Sequence, residues 1–108
     1  MRVILDECLP KRLIHELGLH ETVTVPMAGW AGIQNGELLR RISGKFDAFV
    51  TIDGNLAHQQ NTGKLLFGVV VLRAASNKIE DLRPLVPEIL EALGALQAGQ
   101  VAIVGNSL

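Results

Sequence analysis

The run Leu66-Phe67-Gly68-Val69-Val70-Val71-Leu72 constrains the fold more than any other stretch of this chain. It is far shorter than the ~20 apolar residues of a membrane span, and it lacks the alternation of a strand with one wet face. A near-continuous apolar strand of this kind is buried on both faces, which implies a parallel sheet covered by helices on each side.

The rest of the chain supplies those helices and strands in alternation. Arg2-Val3-Ile4-Leu5 is a short apolar strand ending at Asp6-Glu7. Pro10 suits the first turn of a helix, where its missing N–H costs nothing. Leu13, Ile14 and Leu17 then recur at helical spacing, and Gly18 marks the stop. His20 to Val25 alternates and is rich in β-branched residues, a second strand ended by Pro26. Met27 to Gly36 reads as a loop anchored by Trp30, with Asn35 as N-cap of a helix whose apolar face is Leu38, Leu39 and Ile42 and whose end is marked by Gly44. A third strand runs up to Asp53. The polar stretch from Asn55 to Gly63 reads as a short helix or an ordered loop. After Leu66–Leu72, Ser76 or Asn77 can cap a long apolar stripe from Ile79 to Leu93, which Pro84 and Pro87 should kink or divide into two pieces. Val101 to Val104 is the last strand.

Right-handed crossovers fold this order into an α/β protein, a three-layer α/β/α sandwich with a mostly parallel central sheet. The simplest strand order is 2-1-3-4-5, which makes the first and third strands neighbours ~4.8 Å apart with the topological switch between them. With 108 residues, 48% of them hydrophobic, the chain forms one domain over residues 1–108. No span and no signal-peptide pattern is visible, so a soluble cytoplasmic protein with no membrane partner is expected. The single cysteine, Cys8, excludes an internal disulfide and a multi-thiolate zinc site. A formal net charge of -1 excludes a generally basic, nucleic-acid-coating surface. Arg40, Arg41 and Lys45, like Arg73, Lys78 and Arg83, cluster either as solvated helix faces or as a local basic patch. Leu85, Ile89 and Leu93 suit either the core or a homodimer contact.

Two strands therefore end in a carboxylate, Asp6 after the first and Asp53 after the third, and both face the crevice where ligands collect in such sheets. Two close carboxylates without a counter-charge repel each other. A divalent cation removes the conflict, and Mg²⁺ needs only a few protein oxygens besides waters and substrate phosphates. Glu37, in the first turn of the second helix, is the candidate third oxygen, and Glu7 a weaker fourth. Each acid also has a purely structural role open to it: Asp6 as a helix cap, Asp53-Gly54 as an Asx-type turn, Glu37 as a partner of the helix dipole. Other chemistries fit less well. Cys8 lies beside acids that disfavour a thiolate. His15, His20 and His58 lack ligand spacing. Gly29, Gly32 and Gly36 do not make a dinucleotide fingerprint. A phosphoacceptor receiver domain would need a Lys at the end of the last strand, where Gly105 follows Val104.

Asp6-Glu7-Cys8-Leu9-Pro10, Thr51-Ile52-Asp53 and Asn35-Gly36-Glu37-Leu38-Leu39 resemble the small PIN-like proteins related to the VapC toxins, over nearly the whole chain. The resemblance implies a Mg²⁺- or Mn²⁺-dependent endoribonuclease, the toxin of a toxin-antitoxin pair, with RNA as substrate and a small antitoxin protein as partner. Asp6, Asp53 and Glu37 would then be the metal-binding and catalytic residues, and Asn55, Arg73 and Asn77 are the candidate substrate contacts. The chain departs from that pattern at Cys8, where Asn is common, and at Asn35, where an Asp is usual. It also lacks the short Arg-bearing strand that follows the last strand in many relatives. A neutral Asn35 removes one charge from a charge-dependent site, which leaves open a PIN-like module that acts by binding protein or RNA without hydrolysis.

Overall fold

The structure is a computed structural model and describes residues 1–18, 20–56 and 61–105. Five strands, β1 (Arg2–Leu5), β2 (Glu21–Thr24), β3 (Ala48–Thr51), β4 (Gly68–Arg73) and β5 (Val101–Gly105), form one sheet in the order β2-β1-β3-β4-β5. Every neighbouring pair is parallel. The expected strand order is therefore observed. The register Val3↔Ala48, Ile4↔Phe49, Leu5↔Val50 sets β1 beside β3 with their C-terminal ends level.

Period-2 alternation divides the strand residues between two cores. Val3, Leu5, Ala48, Val50, Val70 and Leu72 pack against Leu13 and Leu17 of the first helical region and against Ile79, Leu82, Ile89 and Leu93. Ile4, Phe49, Val69 and Val71 point the other way, onto Leu38, Leu39, Ile42, Leu56 and Phe67. Helices α1 (Leu13–Glu16), α3 (Ile79–Leu82) and α4 (Val86–Ala95) thus cover one face, and α2 (Asn35–Ile42) the other. This is the three-layer sandwich that the doubly buried run requires. Each such Leu, Ile or Phe stabilises the fold by roughly 1.5–3 kcal/mol relative to leaving it in water.

Several boundaries differ from expectation for local reasons. β4 begins at Gly68 because β3 begins at its register partner Ala48, so Leu66 has no strand to pair with and is 70% exposed. Gly68 is needed there: a Cβ would collide with the Leu96 side chain and come within 2.9 Å of the Gln97 carbonyl oxygen. β2 is trimmed by one residue at each end of the expected His20–Val25. Pro10 precedes α1 and does not sit inside it, since Leu13, Ile14 and His15 donate to the carbonyls three residues back, a 3₁₀ approach to a single α-turn. Asn35 is the first helical residue of α2 and not its cap: extended Gln34 holds that position, with no side-chain capping bond. Gly44 does end α2, in the left-handed conformation at φ 82°.

The two prolines divide the long apolar stripe as expected. A 3₁₀ turn, Arg83–Leu85, separates α3 from α4, and Pro87 falls in the first turn of α4, where an N–H would have no intrahelical partner. Lys78, not Ser76 or Asn77, is the N-cap of α3. The Ser76 hydroxyl instead accepts from Lys78 N–H at 3.0 Å and donates to the Asp81 carboxylate. Trp30 is a packing residue, partly buried and edge-on to Phe46 with centroids 6.1 Å apart. Within the Asn55–Gly63 stretch, Thr62–Lys64 is a 3₁₀ turn, and residues 57–60, including His58, lie outside the described residues. No helix among the described residues is long and apolar enough to cross a membrane.

Candidate functional site

Asp6 is the first residue beyond β1, and its N–H extends the ladder by donating to the Val50 carbonyl at 2.9 Å. That bond fixes the side chain opposite the end of β3. There the Thr51 hydroxyl, fully buried, donates to Asp6 Oδ2 at 2.6 Å, and Glu7 N–H donates to Oδ1 at 2.8 Å. Asp6 is only 9% exposed, so these two bonds stand in for most of the water its carboxylate gave up on folding. Because α1 begins only at Leu13 and both carboxylate oxygens are used this way, Asp6 does not act as a helix cap.

The same Thr51 oxygen accepts from Asp53 N–H at 3.0 Å. One hydroxyl thus gives its proton to one strand-end acid and takes a hydrogen bond from the main chain of the other. Asp53 Oδ1 in turn accepts from Asn55 N–H at 3.0 Å, an Asx turn, while Asp53 stays half-buried. Thr51 thus links the Asp6 side chain to the Asp53 main chain, a role that composition and spacing alone do not single out. Its signal in the sequence is a hydroxyl at the last strand position, two residues before the acid.

The other candidates lie elsewhere. Glu37 holds its carboxylate against Arg41 Nε at 3.2 Å and Arg40 Nη1 at 3.5 Å on its own helix. No group of three or more His, Cys, Asp or Glu side chains is arranged to hold a metal among the described residues. Glu7 turns away, both oxygens accepting from Gly32 N–H at 3.2 Å and tying the turn after β1 to the loop after β2. Asn55 is exposed and contributes its N–H to the Asp53 turn. Arg73 is exposed at the C-terminal end of β4, the edge that carries the acids. Asn77 donates its side-chain amide to the Cys8 carbonyl at 2.7 Å, bracing the turn beside Asp6. Burial, reinforced by the negative Asp6, pushes the Cys8 thiol above its ordinary value, so it stays protonated at neutral pH and is a poor nucleophile.

Several of the basic residues are occupied within the fold. Arg40 and Arg41 pair with Glu37, Arg83 with Glu16 at 3.0 Å, and Lys45 lies over the Trp30 ring. By contrast, neither Asp6 nor Asp53 joins an ion pair among the described residues. The pair offers hard carboxylate oxygens on one edge, the donor chemistry that suits Mg²⁺ or Mn²⁺ held by few protein ligands and several waters. Beside it, between the ends of β1 and β2, lies a groove that sequence reading did not find, lined by Glu7, Leu9, Lys11, Thr24, Pro26 and Met27. No family model, curated protein or solved structure matches this chain.

Proposed function

We propose that the chain is a Mg²⁺- or Mn²⁺-dependent endoribonuclease of the PIN-like toxin type, with Asp6 and Asp53 as its metal-holding acids. The observation that carries this reading is a pair of acids just beyond adjacent parallel strand ends, with Thr51 bonded to the Asp6 carboxylate and to the Asp53 main-chain N–H, and neither acid in an ion pair among the described residues. A bound divalent ion would supply the polarisation of a phosphodiester and the activation of a water.

The chain's own part is positioning. Thr51 and Glu7 N–H fix Asp6, and Asn55 N–H fixes Asp53, so each acid is held in place beyond its strand on the same edge of the sheet. Arg73, exposed on the same edge, is the side chain best placed to meet a substrate phosphate. On this reading the substrate is RNA, the partner a small antitoxin protein and the compartment the cytoplasm. Glu37 would join only by leaving Arg40 and Arg41.

That last feature favours a second reading: a PIN-like module that binds RNA or protein without cleaving, since the third acid is already neutralised on its own helix. Incubating unstructured RNA with the protein and Mn²⁺ separates the two. The nuclease reading expects cleavage that falls by about a hundredfold or more in Asp6→Asn and in Asp53→Asn, the scale of losing one preorganised charge-stabilising group. Equal cleavage in wild type and both variants would refute it, and retention of intact RNA would favour the binding module.

A further inference from the structure

Glu7 belongs to two features of the acid edge: it follows Asp6 directly in the chain, and it lines the groove between the ends of β1 and β2. The groove holds about 360 Å³, within the range of small-ligand sites. Register fixes where it lies. Leu5 pairs with Thr24 on one side and with Val50 on the other, so the groove sits across β1 from the ends that carry Asp6 and Asp53, one strand spacing of ~4.8 Å away.

Its lining mixes apolar surface with polar groups that still have capacity. Leu9, Pro26 and Met27 are apolar, and Met27 stays 53% exposed. A thioether is polarizable and favours contact with an aromatic ring. Thr24 is only 5% exposed, and its hydroxyl accepts from Met27 N–H at 3.2 Å, while the hydroxyl proton has no acceptor among the described residues. A buried donor left over in this way suits an acceptor on a ligand. The Glu7 oxygens both accept from Gly32 N–H, which leaves further lone pairs for a ligand donor. Lys11 is exposed and in no ion pair among the described residues, so it offers an anion an unclaimed cation.

We propose that the groove seats one unpaired nucleotide: the ring against Met27 and Pro26, a ring acceptor on the Thr24 hydroxyl, an exocyclic amine on Glu7 and the phosphate on Lys11. Unpaired bases are recognised in this way, by contact with their faces and by hydrogen bonds to their exposed edges. Adenine, cytosine and guanine carry an exocyclic amine and uracil does not, so the groove selects against uracil. In an RNA strand the phosphodiester next to the seated base then falls at Asp6 and Asp53. That last placement rests on the nuclease reading, and the seating of the nucleotide does not.

Methionine-methyl NMR on the full chain without metal tests it, with CMP, UMP and cytidine as probes. The chain has two methionines, and Met1 precedes β1 at the opposite end of the sheet, so its signal is the internal control. CMP should shift the Met27 methyl saturably and leave Met1 in place. UMP should need about fivefold more for the same shift, the worth of one exposed hydrogen bond. Lys11→Ala should weaken CMP and leave cytidine unchanged, and Glu7→Gln should bring CMP and UMP toward equality. A Met27 signal that ignores millimolar CMP, an equal response to CMP and UMP, a Lys11→Ala loss shared by cytidine, or a Glu7→Gln protein with the preference intact would each overturn it. Neither metal nor cleavage enters these readings, so a failed nuclease reading leaves them standing. RNA cleavage by a protein whose Met27 signal ignores CMP refutes the groove proposal alone.

Discussion

The two ends of the β1–β3 strand pair are both tied across the gap, but with opposite charge logic. At the N-terminal end, Arg2 N–H donates to Asp47 Oδ2 at 2.7 Å, its guanidinium reaches the Lys45 carbonyl and Glu21, and the same group lies 4.8 Å from the Phe46 ring centroid. The cation there meets Glu21 of β2, while Asp47 accepts from the Arg2 main chain, so the tie is made within the fold. At the C-terminal end, one neutral hydroxyl donates to the Asp6 carboxylate and accepts from the Asp53 main-chain N–H, and no cation is paired with either acid among the described residues. The first arrangement needs nothing further. The second leaves two acids on one edge without an ion pair among the described residues.

Substitutions at the two ends sharpen the contrast. The largest effect is expected at Thr51→Val, which keeps the side-chain shape but strips the buried Asp6 Oδ2 of its donor. A loss of about 1–3 kcal/mol should appear as a lower midpoint in urea. An unchanged midpoint would mean that water serves Asp6 as well as Thr51 does. Next, Asp53→Asn removes one of two like charges and should stabilise the metal-free protein by up to about 1 kcal/mol, the usual trade between stability and a charged site. A destabilised Asp53→Asn would mean that repulsion between the two acids costs the fold nothing. The smallest effect belongs to the balanced end: Asp47→Ala should cost about 0.5–1 kcal/mol, since its bond to the exposed Arg2 N–H competes with water. A loss there larger than that of Thr51→Val would invert the comparison.

Much of the framework was legible because it rests on patterns shorter than one element. The doubly apolar run around Val69–Leu72 required helices on both faces, the alternation of strands and helices required parallel pairing, and Pro84 and Pro87 required a break between α3 and α4. The strand-end acids were legible for the same reason. What escaped depends on register and on contacts distant in sequence. Thr51 becomes a bridge only because Leu5 pairs with Val50, which sets Asp6 opposite the next residue of β3. Asn77 looks like a cap or a substrate contact until the fold brings it to the Cys8 carbonyl, 69 residues away. Glu37 is a different case. Its partners Arg40 and Arg41 stand at i+3 and i+4, a spacing visible in the sequence that suits pairing on one helix face as well as it leaves the acid free for a metal.

The central claim is that the uncompensated acids at the C-terminal ends of β1 and β3 form a cation site. It is tested most directly by titrating Mn²⁺ into the wild type and into Asp53→Asn and following the heat by calorimetry. The account predicts saturable binding tighter than ~1 mM, the weak end of protein cation sites, in the wild type, and its loss in the variant. Equal binding to both proteins, or to neither, would contradict it.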